Sequence, residues 1–177
     1  MTFPVTPIDH HDGWLWTPVR VRPRTEKVVA RYCEDRGIRF YLPLWRKVSR
    51  HQRRTVESFL PLFPGYLFAQ LGPTESEDIV LSHKIVRIFR MDTGAESILI
   101  DELRSLQIIE QANVTAEPLV APELVAGTRV EITDGPLRGL IGMVEKRGKT
   151  TRVCVNVDML GQSVTVDLDV GELAVSE

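Results

Sequence analysis

Val130-Glu131-Ile132-Thr133-Asp134-Gly135-Pro136-Leu137-Arg138-Gly139-Leu140-Ile141-Gly142-Met143-Val144 is the stretch on which the fold turns. Alternating apolar residues at both ends ask for strands, and the glycines between them permit tight turning and close approach of one backbone to another. Pro136 fixes a turn. On mechanics alone this is a bent hairpin inside a very small β-domain. Around it, residues 129–133, 141–147, 151–158, 163–170 and 173–175 read as five short Val-rich strands separated by glycine or polar turns. Five such strands with no helix among them suggest a small closed barrel.

Upstream the texture changes. Residues 113–126 contain Pro118 and Pro122 and no period, the composition of a linker. Before them, residues 14–20 read as a strand. Residues 24–36 read as a helix opened by Arg24 or Thr25, striped by Val28, Val29, Tyr32 and Cys33 and closed by Gly37. Residues 38–48 read as a strand in which Pro43 marks an edge or bulge, and 49–57 as a polar, basic hairpin tip or loop. Two apolar runs, 58–63 and 66–71, flank a Pro64-Gly65 turn. Thr74 with Glu77 fits a capping box for a helix over 75–83. Residues 86–90 read as a strand, and Asp101 caps a helix with Leu103, Leu106 and Ile109 on its apolar face. Strand, helix, strand, strand, helix, strand is the order of a ferredoxin-like α+β sandwich. The expected organisation is a flexible N-terminus over 1–13, an α+β domain over 14–112, a linker over 113–126 and a β-barrel domain over 127–177.

The formal net charge of -2 conceals an asymmetry. Between Arg20 and Arg54 there are twelve basic residues against three acids, Glu26, Glu34 and Asp35, so this segment carries +9 within a chain that is acidic elsewhere. The front of the chain suits a polyanion and the rear does not. Arg46, Lys47, Arg50, Arg53 and Arg54 either form a solvated hairpin or meet nucleic acid, and Arg20, Arg22 and Arg24 extend the same candidate surface.

Enzyme chemistry finds no foothold: no Ser-His-Asp, Cys-His, paired-carboxylate or phosphate-loop pattern is present. Cys33 and Cys154 lie far apart and read as reduced, partly buried thiols of a cytosolic protein. His10-His11 between Asp9 and Asp12 reads as a tail rather than a metal site, since a structural site wants about four fixed ligands. No cofactor, metal or membrane association is expected, and the start lacks a secretory signal.

The glycine-proline pattern of residues 130–144 closely resembles the KOW motif, carried by Asp134, Gly135, Pro136, Leu137, Gly139, Gly142 and Val144. Pro61-Leu62-Phe63-Pro64-Gly65-Tyr66-Leu67-Phe68, together with Trp14, the helix bearing Glu26, and Leu42-Pro43, resembles the N-terminal domain of the NusG/RfaH family. The resemblance runs from Trp14 to the C-terminus. The Pro-Leu-Phe-Pro-Gly-Tyr-Leu-Phe wording is closer to specialised paralogues of the RfaH type, whereas the complete glycine pattern of the tail is one that RfaH partly loses. Where RfaH carries His-Thr-Thr on its second helix, this chain has Thr74-Glu75-Ser76-Glu77-Asp78.

The resemblance implies an α+β domain of the NusG N-terminal type followed by an SH3-like KOW barrel. It implies a monomeric, cytoplasmic transcription elongation or antitermination factor and not an enzyme. Its N-terminal domain would bind the clamp helices of bacterial RNA polymerase through Trp16, Phe63, Tyr66 and Phe68, stabilise the closed clamp and reduce pausing or termination. The basic residues would meet the non-template DNA strand of the transcription bubble, and the KOW domain would recruit ribosomal protein S10 or Rho. The competing expectation is a KOW-type RNA- or ribosome-binding protein that never meets polymerase, which a basic barrel would favour.

Overall fold

The computed structural model describes residues 3, 5–51, 54–112, 119–122, 128–132, 137–147, 150–168 and 175–176. The chain divides into two compact units, Met1–Ile100 and Asp101–Glu177.

The first unit is built on β1 (Leu15–Val21), whose burial on both faces follows from helices on one side and chain on the other. Helix α1 (Glu26–Arg36) follows; Gly37 ends it in the left-handed conformation, φ 67°, its N–H bonded back to the last turn. Thr25 opens α1 but supplies no capping bond, because its hydroxyl donates instead to the Arg22 carbonyl at 2.7 Å. The buried stripe is Glu26, Val29, Ala30 and Cys33; Val28, expected in it, is 55% exposed because the stripe shifts toward Ala30.

Pro43, lacking an N–H, splits the expected long strand into β2 (Phe40–Tyr41) and β3 (Leu44–His51). β3 pairs with β4 (Arg54–Pro61) as a two-stranded ribbon, so the basic segment is mostly strand, not loop. Next come β5 (Tyr66–Leu71), α2 (Pro73–Val80) and β6 (Ile85–Ile88). The four-stranded sheet has the order β2-β5-β1-β6, and neighbouring strands in it run antiparallel. With the ribbon as an insertion, this is the order of the split βαβ sandwich. Its core gathers Val19, Val29, Cys33, Phe40, Leu67, Ala69 and Ile79.

Two helix starts differ from expectation. α2 begins at Pro73, where the lost N–H costs nothing, and the Glu75 carboxylate accepts from the Gly72 N–H at 3.2 Å. Thr74 and Glu77 therefore form no box. α3 (Thr93–Gln111) starts two turns before Asp101: Asp92 Oδ1 accepts from the Ala95 N–H at 2.8 Å, which places Asp101 inside the helix. Leu103, Leu106 and Ile109 are buried as expected.

In the second unit, β7 (Leu119–Pro122), β8 (Thr128–Ile132), β9 (Ile141–Arg147), β10 (Thr150–Val157), β11 (Gln162–Leu168) and β12 (Val175–Ser176) form a six-stranded sheet of order β12-β8-β9-β10-β11-β7. β7 lies in the expected linker. It is short, and its Pro122 suits an edge strand, which is why composition reads it as tether. The described strands form an open row rather than the expected closed five-stranded barrel, with no pairing of β7 to β12 among the described residues. Gly142 has the close approach its motif calls for: a Cβ there would stand 2.8 Å from the Cys154 carbonyl oxygen. Gly139 turns at φ 84°. Asp134, Gly135 and Pro136 lie outside the described residues.

The segment expected to be a loose N-terminus is anchored. Ile8 is buried, and the Asp9 carbonyl accepts from Trp16 Nε1 and from Gln70 Nε2, both at 2.9 Å. Arg39 pairs with the Asp9 carboxylate and donates to the Pro7 carbonyl at 2.6 Å, which holds the Asp9 carboxyl below its ordinary range. His10 Nδ1 lies 2.6 Å from the buried carboxylate of Glu96, and Nε2 lies 3.3 Å from Asp12. Hydrogen bonding to Glu96 raises the His10 pKa above 6.5.

Two measurements follow from this architecture. A raised folded-state value means that the His10 contribution is present in full below the ordinary pKa and is lost as pH rises through the raised one. Thermal unfolding between about pH 5 and about pH 8 is expected to show this fading stabilisation in the wild type and its absence in His10→Ala. Period-2 valines on β10 and β11 and glycines poor in helix propensity favour strand over helix, so carbon chemical shifts of the free protein are expected to be those of strand over residues 150–157 and 162–168.

Candidate interaction groove

Two proline turns meet beside β1. Phe63-Pro64-Gly65-Tyr66 closes with Tyr66 N–H on the Phe63 carbonyl at 3.1 Å, and Gly65 takes φ 85°, the conformation that a type II turn demands at its third place. Arg22-Pro23-Arg24-Thr25 closes the same way, Thr25 N–H to the Arg22 carbonyl at 3.2 Å, with Arg24 at φ 63°. The turns are tied together. The Val21 N–H donates to the Gly65 carbonyl at 2.8 Å, and the Gly65 N–H donates to Glu26 Oε1 at 2.6 Å. Glu26 stands in the first turn of α1, where the helix dipole favours a carboxylate, and it is 5% exposed.

Between these turns and the root of the ribbon lies an open groove of about 800 Å³. Val21, Trp45, Leu60, Pro61, Pro64, Tyr66 and Val86 give it apolar walls; Arg20, Arg24, Glu26 and Lys27 line it as well. Trp45 and Leu60 face each other across the β3–β4 ladder, and Lys47 lies over the Trp45 ring at 5.6 Å. Lys27 Nζ reaches the Phe59 carbonyl at 2.5 Å, bracing the ribbon against α1.

Of the aromatics expected to meet a partner, only Tyr66 lines this groove. Trp16, Phe63 and Phe68 are at most 1% exposed. Phe68 stacks with Tyr41 and meets Phe63 edge to face at 6.3 Å, while Trp16 is held by Asp9 and by Glu96, whose Oε1 accepts the Trp16 backbone N–H at 2.9 Å. Alternation along β5 puts Tyr66 and Phe68 on one face and Leu67 on the other, but chain covers both faces of that strand, so period alone does not identify the exposed residue. Trp45, Leu60, Pro23 and Val86 complete the groove without a motif of their own in the sequence. Their signals are faint: a lone tryptophan in a basic strand, and a second X-Pro turn matching Pro64-Gly65.

The cations separate into groups. Arg36, Arg39 and Arg46 pair with Asp78, Asp9 and Glu57. Arg46 and Lys47 stand on β3 and Arg54 on β4, all exposed; the Arg50 side chain and all of Arg53 lie outside the described residues. Arg20 and Arg24 border the groove, and Arg22 is exposed nearby. His10, His11, Asp9 and Asp12 engage one another, Glu96 and Arg39. Burial pushes the Cys33 thiol up to about 12, which makes it a core residue and not a nucleophile.

An α+β domain with an apolar groove, cationic edges and a basic ribbon is thus followed by a Val-rich β-sheet unit. The chain belongs to the NusG family: the family model described as transcription termination factor nusG matches residues 15–109. NusG-family proteins are transcription factors, not enzymes. The transcription termination/antitermination protein NusG of Deinococcus radiodurans is 28% identical over 128 residues, which cover 64% of this chain and 67% of that protein. A solved structure of Thermotoga maritima NusG, on domain interaction, is similar over 93% of this chain and 98% of its own at 19% identity and TM-score 0.47. One of an MjSpt4:Spt5 complex, in its conformation B, is similar over 92% and 97% at 16% identity and TM-score 0.29. No helix among the described residues is long and apolar enough to cross a membrane.

The placement of the aromatics sets apart two kinds of variant. Phe68→Ala opens a cavity in a closed core and is expected to lower stability by about 3–5 kcal/mol. Tyr66→Ala, at a half-buried wall, is expected to cost well under half of that. Urea denaturation of the two variants checks the order.

Proposed function

We propose that this protein is a transcription elongation and antitermination factor that docks on the clamp helices of RNA polymerase through the groove beside Pro61–Tyr66. Docking favours the closed clamp and so reduces pausing or termination. Its effect is bounded by the difference in affinity for closed and open clamp. The observation that carries this reading is the groove itself. A NusG-family domain turns the Pro64-Gly65-Tyr66 segment toward an open, apolar trough of a size that accepts helical side chains. Tyr66 is the member of the expected aromatic set available to a partner. Trp16, Phe63 and Phe68 act behind it by holding the sheet.

The ribbon is the proposed contact to the non-template DNA strand, through Arg46, Lys47, Arg50, Arg53 and Arg54, with Arg22 beside them. Guanidinium groups bind phosphates bidentately and stack on bases. Two functional modules, residues 14–112 and 127–177, divide the work. The second is a KOW-type domain built on the six-stranded sheet, residues 119–122 included. It recruits a second partner, ribosomal protein S10 or Rho, at the high effective concentration that a shared chain provides. The protein acts as a cytoplasmic monomer.

Co-purification with core RNA polymerase tests the reading directly, and recovery of ribosomal RNA without polymerase subunits would replace it. Tyr66→Ala is expected to weaken polymerase binding by about 2 kcal/mol, roughly thirtyfold. Replacing Arg50, Arg53 and Arg54 by Ser is expected to flatten the salt dependence of binding to an elongation complex by about 0.7 in log–log slope for each phosphate that is no longer neutralised. Equal slopes would remove the ribbon from the DNA interface.

A further inference from the structure

We propose that Arg20 and Arg24, with Arg87 beside them, read carboxylates on the polymerase segment that fills the groove, and do not serve nucleic-acid phosphates. The inference rests on the docking reading above and names the chemistry of the partner: an amphipathic helix whose apolar strip is flanked by acidic side chains.

Two locally unfavourable choices coincide at this groove. Arg24 takes φ 63° at the third place of a Pro-containing turn, where glycine is the natural occupant; in the companion turn that place is Gly65. An L-residue there is strained, and Pro23 together with the two bonds onto the Arg22 carbonyl holds it so. Arg20 stands directly opposite Arg87 in the β1–β6 register and opposite Tyr66 in the β1–β5 register. Like charges directly opposite on a sheet repel, yet neither arginine forms an ion pair among the described residues. Both sit in a row with Tyr66 on one face of the sheet, and Arg87 is stacked on Phe89 at 4.7 Å. A strained turn and opposed like charges with no carboxylate paired to them among the described residues mark a place where an external anion completes the balance.

The ligand is an anion, and its setting indicates which kind. Glu26, the acid lining the groove, forms no ion pair with these arginines among the described residues; its Oε1 accepts from the Gly65 N–H and its side chain is buried. Arg36, Arg39 and Arg46, by contrast, have carboxylates of their own. Arg20 and Arg24 edge a trough whose walls are Val21, Leu60, Pro64 and Val86. A phosphate backbone would gain nothing from such walls, whereas a helix with an apolar strip buries that strip there and presents carboxylates to the edges. Arginine suits the task because its fork binds a carboxylate bidentately.

The test measures binding of the full chain to core polymerase free of nucleic acid, and again to an assembled elongation complex. The proteins are wild type, Tyr66→Ala, Arg20→Gln, Arg24→Gly and Arg24→Lys. Arg24→Gly relieves the turn, so its unfolding midpoint is expected to equal or exceed that of the wild type. It and Arg20→Gln are nevertheless expected to weaken binding to free core polymerase about tenfold, with Arg24→Lys in between and the same loss in the elongation complex. If both neutral variants bind free polymerase like the wild type while Tyr66→Ala is weakened, the inference fails and the docking reading stands. Loss confined to the complex that contains nucleic acid assigns these arginines to phosphates and overturns the inference. If Tyr66→Ala also binds normally, the docking reading fails and the inference fails with it.

Discussion

The hydrogen bond from the Gly65 N–H to the buried carboxylate of Glu26 is the constraint around which the first unit is arranged. A carboxylate placed at 5% exposure is tolerable only if its charge is met. Here the first turn of α1 supplies its dipole and Gly65 its N–H. The bond fixes the entry of α1 against the Pro64-Gly65 turn, while Val21 N–H on the Gly65 carbonyl fixes that same turn against β1. Three elements thus converge on one glycine. Since Pro61, Pro64 and Tyr66 flank it, the shape of the groove follows from this convergence and not from the packing of any single aromatic.

Glu96 repeats the device at the other end of β1. It is 1% exposed and joins α3 to the Trp16 backbone through one oxygen and to His10 through the other. The two carboxylates pin the strand near both ends, so the central residues of the sheet are held by polar bonds of fixed direction as well as by apolar burial. Direction matters here, because the hydrophobic effect alone does not select a register. A one-residue slip of β1 would carry Trp16 and Arg20 together to the opposite face of the sheet and Val19 and Val21 out of the core, and the Trp16–Glu96 and Val21–Gly65 bonds oppose it.

What could be read in the sequence was whatever rests on local chemistry. Gly37 is legible because a helix end needs a left-handed residue, Gly142 because a backbone passes at van der Waals range, and the order of strands and helices because periods of two and of three to four alternate. The exposed face of β5 was not legible. Tyr66 and Phe68 obey the same period, and only the cover of chain over both faces buries one and leaves the other half open. The start of α3 was obscured by two equally good caps, Asp92 and Asp101, between which tertiary burial of Glu96 and Leu99 decides. β7 was hidden by Pro118 and Pro122, which signal linker and edge strand alike. Of the candidate site, the Pro64-Gly65-Tyr66 wall was in view, while Trp45, Leu60 and Val86 required a register to be brought to it.

The basic segment shows why a charge sum is a poor guide to a surface. Its +9 suggests one polyanion-binding face, but folding distributes the cations by purpose. Arg36 and Arg39 are consumed in internal pairs that fasten α1 to α2 and the N-terminal segment to the sheet. Lys27 braces the ribbon through a backbone carbonyl. Arg46 faces Glu57, on the ribbon face opposite to Trp45 and Lys47. Among the described residues, Lys47 and Arg54 on the ribbon and Arg20, Arg22 and Arg24 at the groove form no ion pair, and the two places are separated by an aromatic and apolar stretch at Trp45 and Leu60. A single electrostatic field at long range can therefore steer the protein toward a negatively charged assembly, while at close range the two sets of cations meet different chemistry. Long-range attraction depends on the total charge and short-range recognition on its division, and in this fold the division is made by the register of β3 with β4 and by the two proline turns.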